Sequence, residues 1–495
     1  MKRTNRISSA LTAMLLLAAS LTACGDTAET PVETDGGTAA DTTAVTEETE
    51  AVPVYEPDDL PEDLDFGGVT SHIFGWEGAA NEEFFVEEAD GDIVNDAIFE
   101  RNRTVEERLN LELTYTKIPG ANPDRASWVK AVTQSTMAGD GANDIVAGYS
   151  MCGATLANNR LLIDLMGLDY IDFDKPWWPD SLIKEATCGG KLYFCSGDIS
   201  ANMIYYLYSV YFNKTLAQNY DVENLYDLVR EGKWTLDKMI EICADVYADL
   251  NGDGKKDPAD QFGYTTHNVW ADTFFFAAGL RTTEIGAEGL PVLSDEFGGE
   301  KAQDLLTKMI DMFASNEMYL GSDYDIVRNQ FLEGRALFLT TEVYYAKNYL
   351  RDTQIEYGIL PVPKYDEAQE GYYTVSSFPY TLYGVPVDAK DPAMSAAILE
   401  CLASESYRTV SPALFEVALK VKYARDEQTS QMLDLISQAA YTDFGYVYSL
   451  LCGGLTTYRD MITSKSQFAS WYAKKEKTIA KGLNSVIDLY KENVE

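Results

Sequence analysis

Histidine is nearly absent. The chain has 2 in 495 residues, His72 and His267, too few for a His-centred acid–base site or a His-rich metal cluster. Basic residues are scarce as well: 39 Lys and Arg face 79 Asp and Glu, a formal net charge of −40. An acidic surface disfavours nucleic acid and anionic lipid headgroups and keeps a secreted protein soluble. Cysteines are few and scattered. Besides Cys24, the residues Cys152, Cys188, Cys195, Cys243, Cys401 and Cys452 show no metal-type spacing. They read as mostly buried free thiols, with Cys188–Cys195 the only local pair in reach of a disulfide. Beyond the N-terminus no apolar run is long enough for a membrane helix.

What the N-terminus does have is an export signal over residues 1–24. Lys2, Arg3 and Arg6 precede an apolar core, Ala10 to Leu21, that is too short to span a bilayer. The closing Leu21-Thr-Ala-Cys24 resembles a bacterial lipobox, which implies that Cys24 becomes the diacylated first residue of the mature protein. Residues 25–65 then contain no Lys or Arg. Thr, Ala, Glu, Asp, Pro and Gly bury too little apolar surface to offset chain entropy, so a disordered, self-repelling tether is expected.

Residues 66–495 exceed one core and predict two lobes. Strand and helix patterns alternate, which is an α/β arrangement. Strands are predicted at Ser71–Trp76, Leu109–Tyr115, Asp144–Tyr149, Lys191–Asp198 and Tyr205–Phe212, then at Gln261–Thr266, Gly334–Thr340 and Ile355–Pro361. Helices are predicted at Asp92–Glu107 and Ser127–Met137. From Asp391 the chain turns mainly helical, ending in a helix near Gln467–Asn493.

The sharpest chemical signal follows Thr235, a natural N-cap. A stripe of Leu236, Met239, Ile240, Cys243, Val246, Tyr247 and Leu250 predicts a helix that runs directly into an acidic loop. The loop places oxygen side chains at Asp249, Asn251, Asp253, Asp257 and Asp260, with Gly254 at the sharp turn and Lys255 offering its carbonyl. That is EF-hand-type spacing, which aims six or seven oxygens at one Ca²⁺. The twelfth position is Asp260 where Glu is usual, and a strand-like run follows in place of a second helix. The ion expected is therefore a Ca²⁺ on a half motif.

Taken in order, Gly190-Lys-Leu-Tyr193, Val210-Tyr-Phe-Asn-Lys214, Gly232-Lys-Trp-Thr235, the acidic loop, Phe331–Phe338 and Tyr357–Asp366 carry a resemblance. The chain resembles an extracellular solute-binding lipoprotein of an ABC importer, family 1, the class related to maltose-binding protein. The resemblance implies an α/β, two-lobed periplasmic-binding-protein-like (type II) fold with an interlobe cleft and a mainly helical C-terminal part. It implies chain crossings near Ser200–Tyr206, Gly334–Leu339 and Cys401–Arg408. Lobe one would be 66–200 plus 336–402, and lobe two 201–335 plus 403–495. The implied partners are a small solute and an ABC permease, with the membrane met only through the lipid anchor. A monomer on the outer face of a Gram-positive cytoplasmic membrane is expected, and no enzyme.

The ligand class is argued from the aromatics, 32 Tyr, 20 Phe and 7 Trp. Sugars offer apolar ring faces rimmed by hydroxyls, which suit flat aromatic platforms edged with polar side chains. Cleft positions implied by the resemblance are Trp76, Tyr149, Tyr205, Tyr206, Trp270 and Tyr344, with Asn268 and Glu342 as polar candidates. Trp270 is expected to be partly solvated before ligand arrives. Trp234 and Trp471 read as core, and Trp177-Trp178 as a clamp on a lobe surface. Two other classes share parts of the pattern. A secreted carbohydrate-active hydrolase would need two carboxylates at a set separation, which no spacing here singles out. A calcium-stabilised adhesion module of the dockerin type would carry two such loops, and one is found.

Overall fold

Where strands form, the local sequence explains them. Ile145–Tyr149 is an unbroken buried run, as is Tyr208–Asn213, which fits strands covered on both faces. The computed structural model describes residues 55–78, 83–452 and 459–491. The export signal, Cys24 and residues 25–54 lie outside the described residues.

Eleven strands are found among the described residues: β1 (Val69–Glu77), β2 (Leu111–Pro119), β3 (Ile145–Tyr149), β4 (Tyr208–Asn213), β5 (Phe262–His267), β6 (Thr283–Ile285), β7 (Pro291–Leu293), β8 (Met318–Gly321), β9 (Ala336–Glu342), β10 (Tyr357–Leu360) and β11 (Thr381–Gly384). One sheet has the order β11-β3-β1-β2, with β2, β1 and β3 parallel and β11 antiparallel. The second has the order β10-β4-β9-β5-β8, with β4 antiparallel to both neighbours and β5 parallel to β9 and β8. Strands β6 and β7 form a separate hairpin pair. The fold is mixed α/β, and the C-terminal part is mainly helical, ending in the helix Phe468–Lys491.

The helix Ile93–Leu109 begins where Asp92 accepts from the Val94 and Asn95 backbone N–H groups, and it stops at Asn110 in the left-handed region. Two glycines let bulky rings lie flush under the strands that carry site residues. A Cβ at Gly75 would sit 2.3 Å from the Phe84 ring, and one at Gly148 2.8 Å from the Trp128 ring.

Several expectations need correction. Residues 55–65 are not tether. Leu60 is buried, and Asp58 is gripped by Arg108 at 2.5 Å and Arg408 at 3.1 Å. Burial alone would raise the Asp58 carboxyl, but hydrogen bonds from Arg108, Ser404 and Arg408 outweigh it and hold the group well below the usual range. The Lys191–Asp198 run makes only isolated bridges, Cys188 to Lys191 and Cys195 to Tyr383. The helix after Thr235 ends at Cys243, because Asp245 turns left-handed at φ 68° and Ala248 pairs with Gln261. Strands β9 and β10, expected with the first lobe, pair in the sheet of β4 and β5. The chain therefore returns to the first sheet after Leu360, not at 334–339. Cys188 and Cys195 are both free, as are the other four described cysteines, and all six are buried.

Trp234 donates its indole N–H to the Pro361 carbonyl at 2.8 Å, and Trp471 is also buried, so both are core as expected. Trp177 and Trp178 are fully buried too. They sit under the helix Pro392–Glu405, where Trp178 donates to Glu400 at 3.0 Å. No described helix is long and apolar enough to cross a membrane.

Candidate functional site

The carboxyl ends of β1 and β3 in one sheet, and of β5 and β9 in the other, carry the sequence-predicted residues. Trp76 stands next to the end of β1, and Tyr149 is the last residue of β3. Their rings meet edge to face at 5.3 Å. His267 closes β5 and Glu342 closes β9. Strand ends are where an α/β protein has free backbone and side chains to offer a ligand.

On the first sheet, the Trp76 indole donates to Thr381 Oγ1 at 2.9 Å, and that hydroxyl donates in turn to Glu83. Glu83 also accepts from the Ser200 hydroxyl at 2.5 Å and the Asn202 backbone N–H at 2.8 Å. One carboxylate thus ties Trp76 to two segments that join the sheets, 200–202 and 379–381; Asn202 itself donates to the Pro379 carbonyl. Burial pushes the Glu83 carboxyl up to about 7, with the hydrogen bonds from Ser200, Thr381 and Asn202 and the charge of Arg101 pulling the other way.

On the second sheet, the Trp270 indole donates to Glu342 Oε1 at 2.7 Å, while Thr341 donates to Oε2 at 2.9 Å. Burial raises the Glu342 carboxyl, opposed chiefly by Arg328. Tyr324 lies flat against His267, ring centroids 3.7 Å apart, and tilted against Trp270 at 5.3 Å. Burial draws the His267 imidazole down to about 4, so it is neutral near neutral pH. Asp272 pairs with Arg459 at 2.6 Å. Its carboxyl is still pushed up to about 8, since burial outweighs the arginine.

Tyr205, Tyr206 and Tyr344 form a third group. Tyr206 stacks on Tyr344 at 5.0 Å, and Tyr205 meets the same ring at 5.9 Å. The Tyr206 hydroxyl lies within electrostatic reach of Tyr344, Glu342, Glu83 and Arg328. The Tyr149 hydroxyl feels Arg125 as well as Tyr324 and Glu342. Groups based on the two sheets therefore face a common region. Asn268 is half-buried, and its backbone N–H is spent on the Gly321 carbonyl at 2.9 Å. No hydrogen bond of its side chain is found among the described residues.

Burial separates these candidates. Trp76, Tyr149, Tyr205, Tyr206, Glu342 and Trp270 are buried, Trp270 to 1% exposure. The half-solvated platform expected at Trp270 is thus found instead at Tyr324, which is 40% exposed. Sequence reasoning missed Glu83, Thr381, Tyr324 and Arg328. Tyr324 and Arg328 had a signal, because an aromatic and an arginine four residues apart share one helix face. Glu83 and Thr381 had none, being 298 residues apart. A separate cavity of about 250 Å³, lined among others by Trp177, Asp198, Met203, Ile204 and Tyr441, holds none of the predicted residues.

In the acidic loop the carboxylates mostly fold back on their own backbone. Asp249 accepts from Gly252 and Gly254 N–H, Asn251 from Asp253, and Asp253 from Lys255. Asn251 donates to Asp257 at 3.1 Å. Among the described residues no group of three or more His, Cys, Asp or Glu converges on one metal position. Asp260 differs from the rest. It is fully buried, one oxygen accepts from Tyr247 and from the Asp257 N–H, and the other has no hydrogen-bond partner.

No protein-family model matches the sequence, and no curated protein matches it. Its fold is similar to that of solved structures, among them a cyclo/maltodextrin-binding protein complexed with maltotetraose. The two are 15% identical with a TM-score of 0.53, over 86% of this chain and 97% of that one. At that identity the likeness is one of fold.

Proposed function

We propose that the chain is a cell-surface solute-binding protein that captures a carbohydrate in a cleft between two lobes and passes it to an ABC permease. The observation that carries this reading is the convergence at the strand ends: Tyr149 from one sheet lies within electrostatic reach of Tyr324 and Glu342 from the other. Aromatic faces at Tyr324 and Tyr344 would take the sugar's apolar rings, while Trp76, Tyr149 and Trp270 form the floor behind them. Polar edges at Glu342, Asn268 and the tyrosine hydroxyls would take its hydroxyls. The related fold that holds maltotetraose supports the ligand class.

Capture would be a population shift. A ligand favours the closed form only by contacts that the closed form completes, so both sheets must contribute. The protein makes and breaks no covalent bond in this reading, in contrast to a hydrolase. Titration calorimetry against an oligosaccharide panel, run beside a reducing-end assay, tests both statements. Saturable heat without new reducing ends is expected; new reducing ends would replace the reading with the hydrolase.

The anchor belongs to the same proposal, with Cys24 lipidated and the chain held at the outer face of the cytoplasmic membrane. So does calcium. Asp249, Asn251, Asp253, Asp257, Asp260 and the Lys255 carbonyl would hold the ion, and the orphaned buried oxygen of Asp260 is the acceptor that it would satisfy. Its role would be to pin the loop against β5.

A further inference from the structure

Basic side chains are the scarce kind in this chain, 39 against 79 acids, yet Arg328 and Arg125, which border the aromatic cluster, pair with no acid among the described residues. Arg328 lies against three rings, its guanidinium 5.2 Å from Trp270, 5.3 Å from Tyr324 and 4.8 Å from Tyr349. It donates to the Tyr349 hydroxyl at 3.1 Å. Its Nε is buried with no hydrogen-bond partner. Arg125 is in the same condition on the other sheet's side. Its Nη1 meets only the Met151 sulfur, at 2.8 Å, and its Nε is buried without a partner. Neither arginine forms an ion pair with a described residue.

The acids nearby are already committed. Asp272 is paired with Arg459, and the two oxygens of Glu342 take the Trp270 and Thr341 donors. Glu342 lies close enough to feel the charge of Arg328, but the two make no contact. A guanidinium does not shed its proton, so these buried N–H groups call for an acceptor from outside. Arg328 lies among rings with donors to spare, and a guanidinium fork suits a two-oxygen anion. Arg125 and the groups around Arg328 meet at Tyr149, whose hydroxyl feels Arg125, Tyr324 and Glu342 together.

We propose that the carbohydrate bound here is anionic, a uronate or a sulfated sugar whose oxyanion docks on Arg328 and Arg125 while its ring faces meet Tyr324 and its neighbours. The proposal rests on the carbohydrate reading above and names the substrate class of that site. Carboxylate and sulfate ester share the oxyanion chemistry, so the test carries one arm for each.

The experiment is a calorimetric titration of the full chain with trigalacturonate, a sulfated chondroitin disaccharide and neutral maltotetraose, at low and high salt. One acidic arm is expected to bind at least about ten-fold tighter than maltotetraose, with the gap narrowing as salt rises. Which arm it is identifies the anion. Arg328→Met should bring the acidic-to-neutral ratio close to one, and Arg328→Lys should restore part of it, since Lys keeps the charge and loses the fork. Arg125→Gln gives an independent reading should Arg328→Met fail to fold. Maltotetraose binding as tightly as both acidic sugars, or an acidic preference untouched by Arg328→Met and Arg125→Gln, overturns the proposal and leaves the carbohydrate reading standing. No binding by any of the three removes both.

Discussion

The aromatic cluster and the acidic loop use the same residue types to opposite ends. In the loop, Asp249 is half-buried, Asn251 and Asp253 are exposed, and all three are satisfied by backbone N–H groups two to five residues away. In the cluster, Glu83 and Glu342 are buried and satisfied by neutral donors, all but Thr341 from far along the chain. Buried carboxylates have their proton affinity raised, and they lock the parts that touch them. The difference explains why the loop could be read from spacing while the cluster could not.

The comparison can be broken most severely at Trp270. As a buried ring with its indole on a buried carboxylate, it should cost about 3–5 kcal/mol of stability when replaced by Ala, measured by urea denaturation. A loss under about 1 kcal/mol would make it a solvated platform instead. Tyr324 is its counterpart. Tyr324→Ala should leave the urea midpoint nearly unchanged and cost roughly 1–3 kcal/mol in sugar binding, about ten- to a hundred-fold in Kd.

Next in size is a pH effect. The folded pKa of Glu83 is raised from 4.5 to about 7, so the folded state holds a proton that the unfolded chain releases. Its contribution to stability is complete below the unfolded value and is lost as pH rises through about 7. Glu83→Gln should therefore flatten the decline in stability between those pH values by roughly 1–3 kcal/mol. Asp58 acts in the opposite sense: its lowered carboxyl contributes above the usual range and loses that contribution as acid is added. An unchanged pH profile in Glu83→Gln would remove Glu83 from its latching role. The smallest effect belongs to the loop. Chelation should lower the melting temperature without unfolding the chain, a loss of only about 1–2 kcal/mol in stability, because the surrounding core is large. Asp253→Ala should copy it, and equal melting with and without chelator would remove the calcium.

Much of the fold was legible. The pattern of apolar residues located β1 to β5 and the helix expected over Asp92–Glu107. What escaped was non-local. The pairing of β9 with β4 and β5 depends on partners more than 70 residues away, and nothing in its own run says which sheet it joins. The acidic stretch at 55–65 looked like more tether because its stabilising partners, Arg108 and Arg408, lie elsewhere in the chain. At the site, the resemblance pointed to Trp76, Tyr149, Trp270 and Glu342, but how far each would be buried depended on neighbours the local sequence does not show.

The measurement that tests the account most directly is calorimetric titration of the full chain with the same three sugars, repeated with Tyr324→Ala and Tyr344→Ala. Tyr324, on a helix beside β5, is exposed, and Tyr344, just after β9, is half-buried. The account predicts one saturable site per chain, weakened about ten-fold or more by either substitution while both variants stay folded. Undiminished binding in both variants, or no binding of any sugar by the unaltered chain, would contradict it.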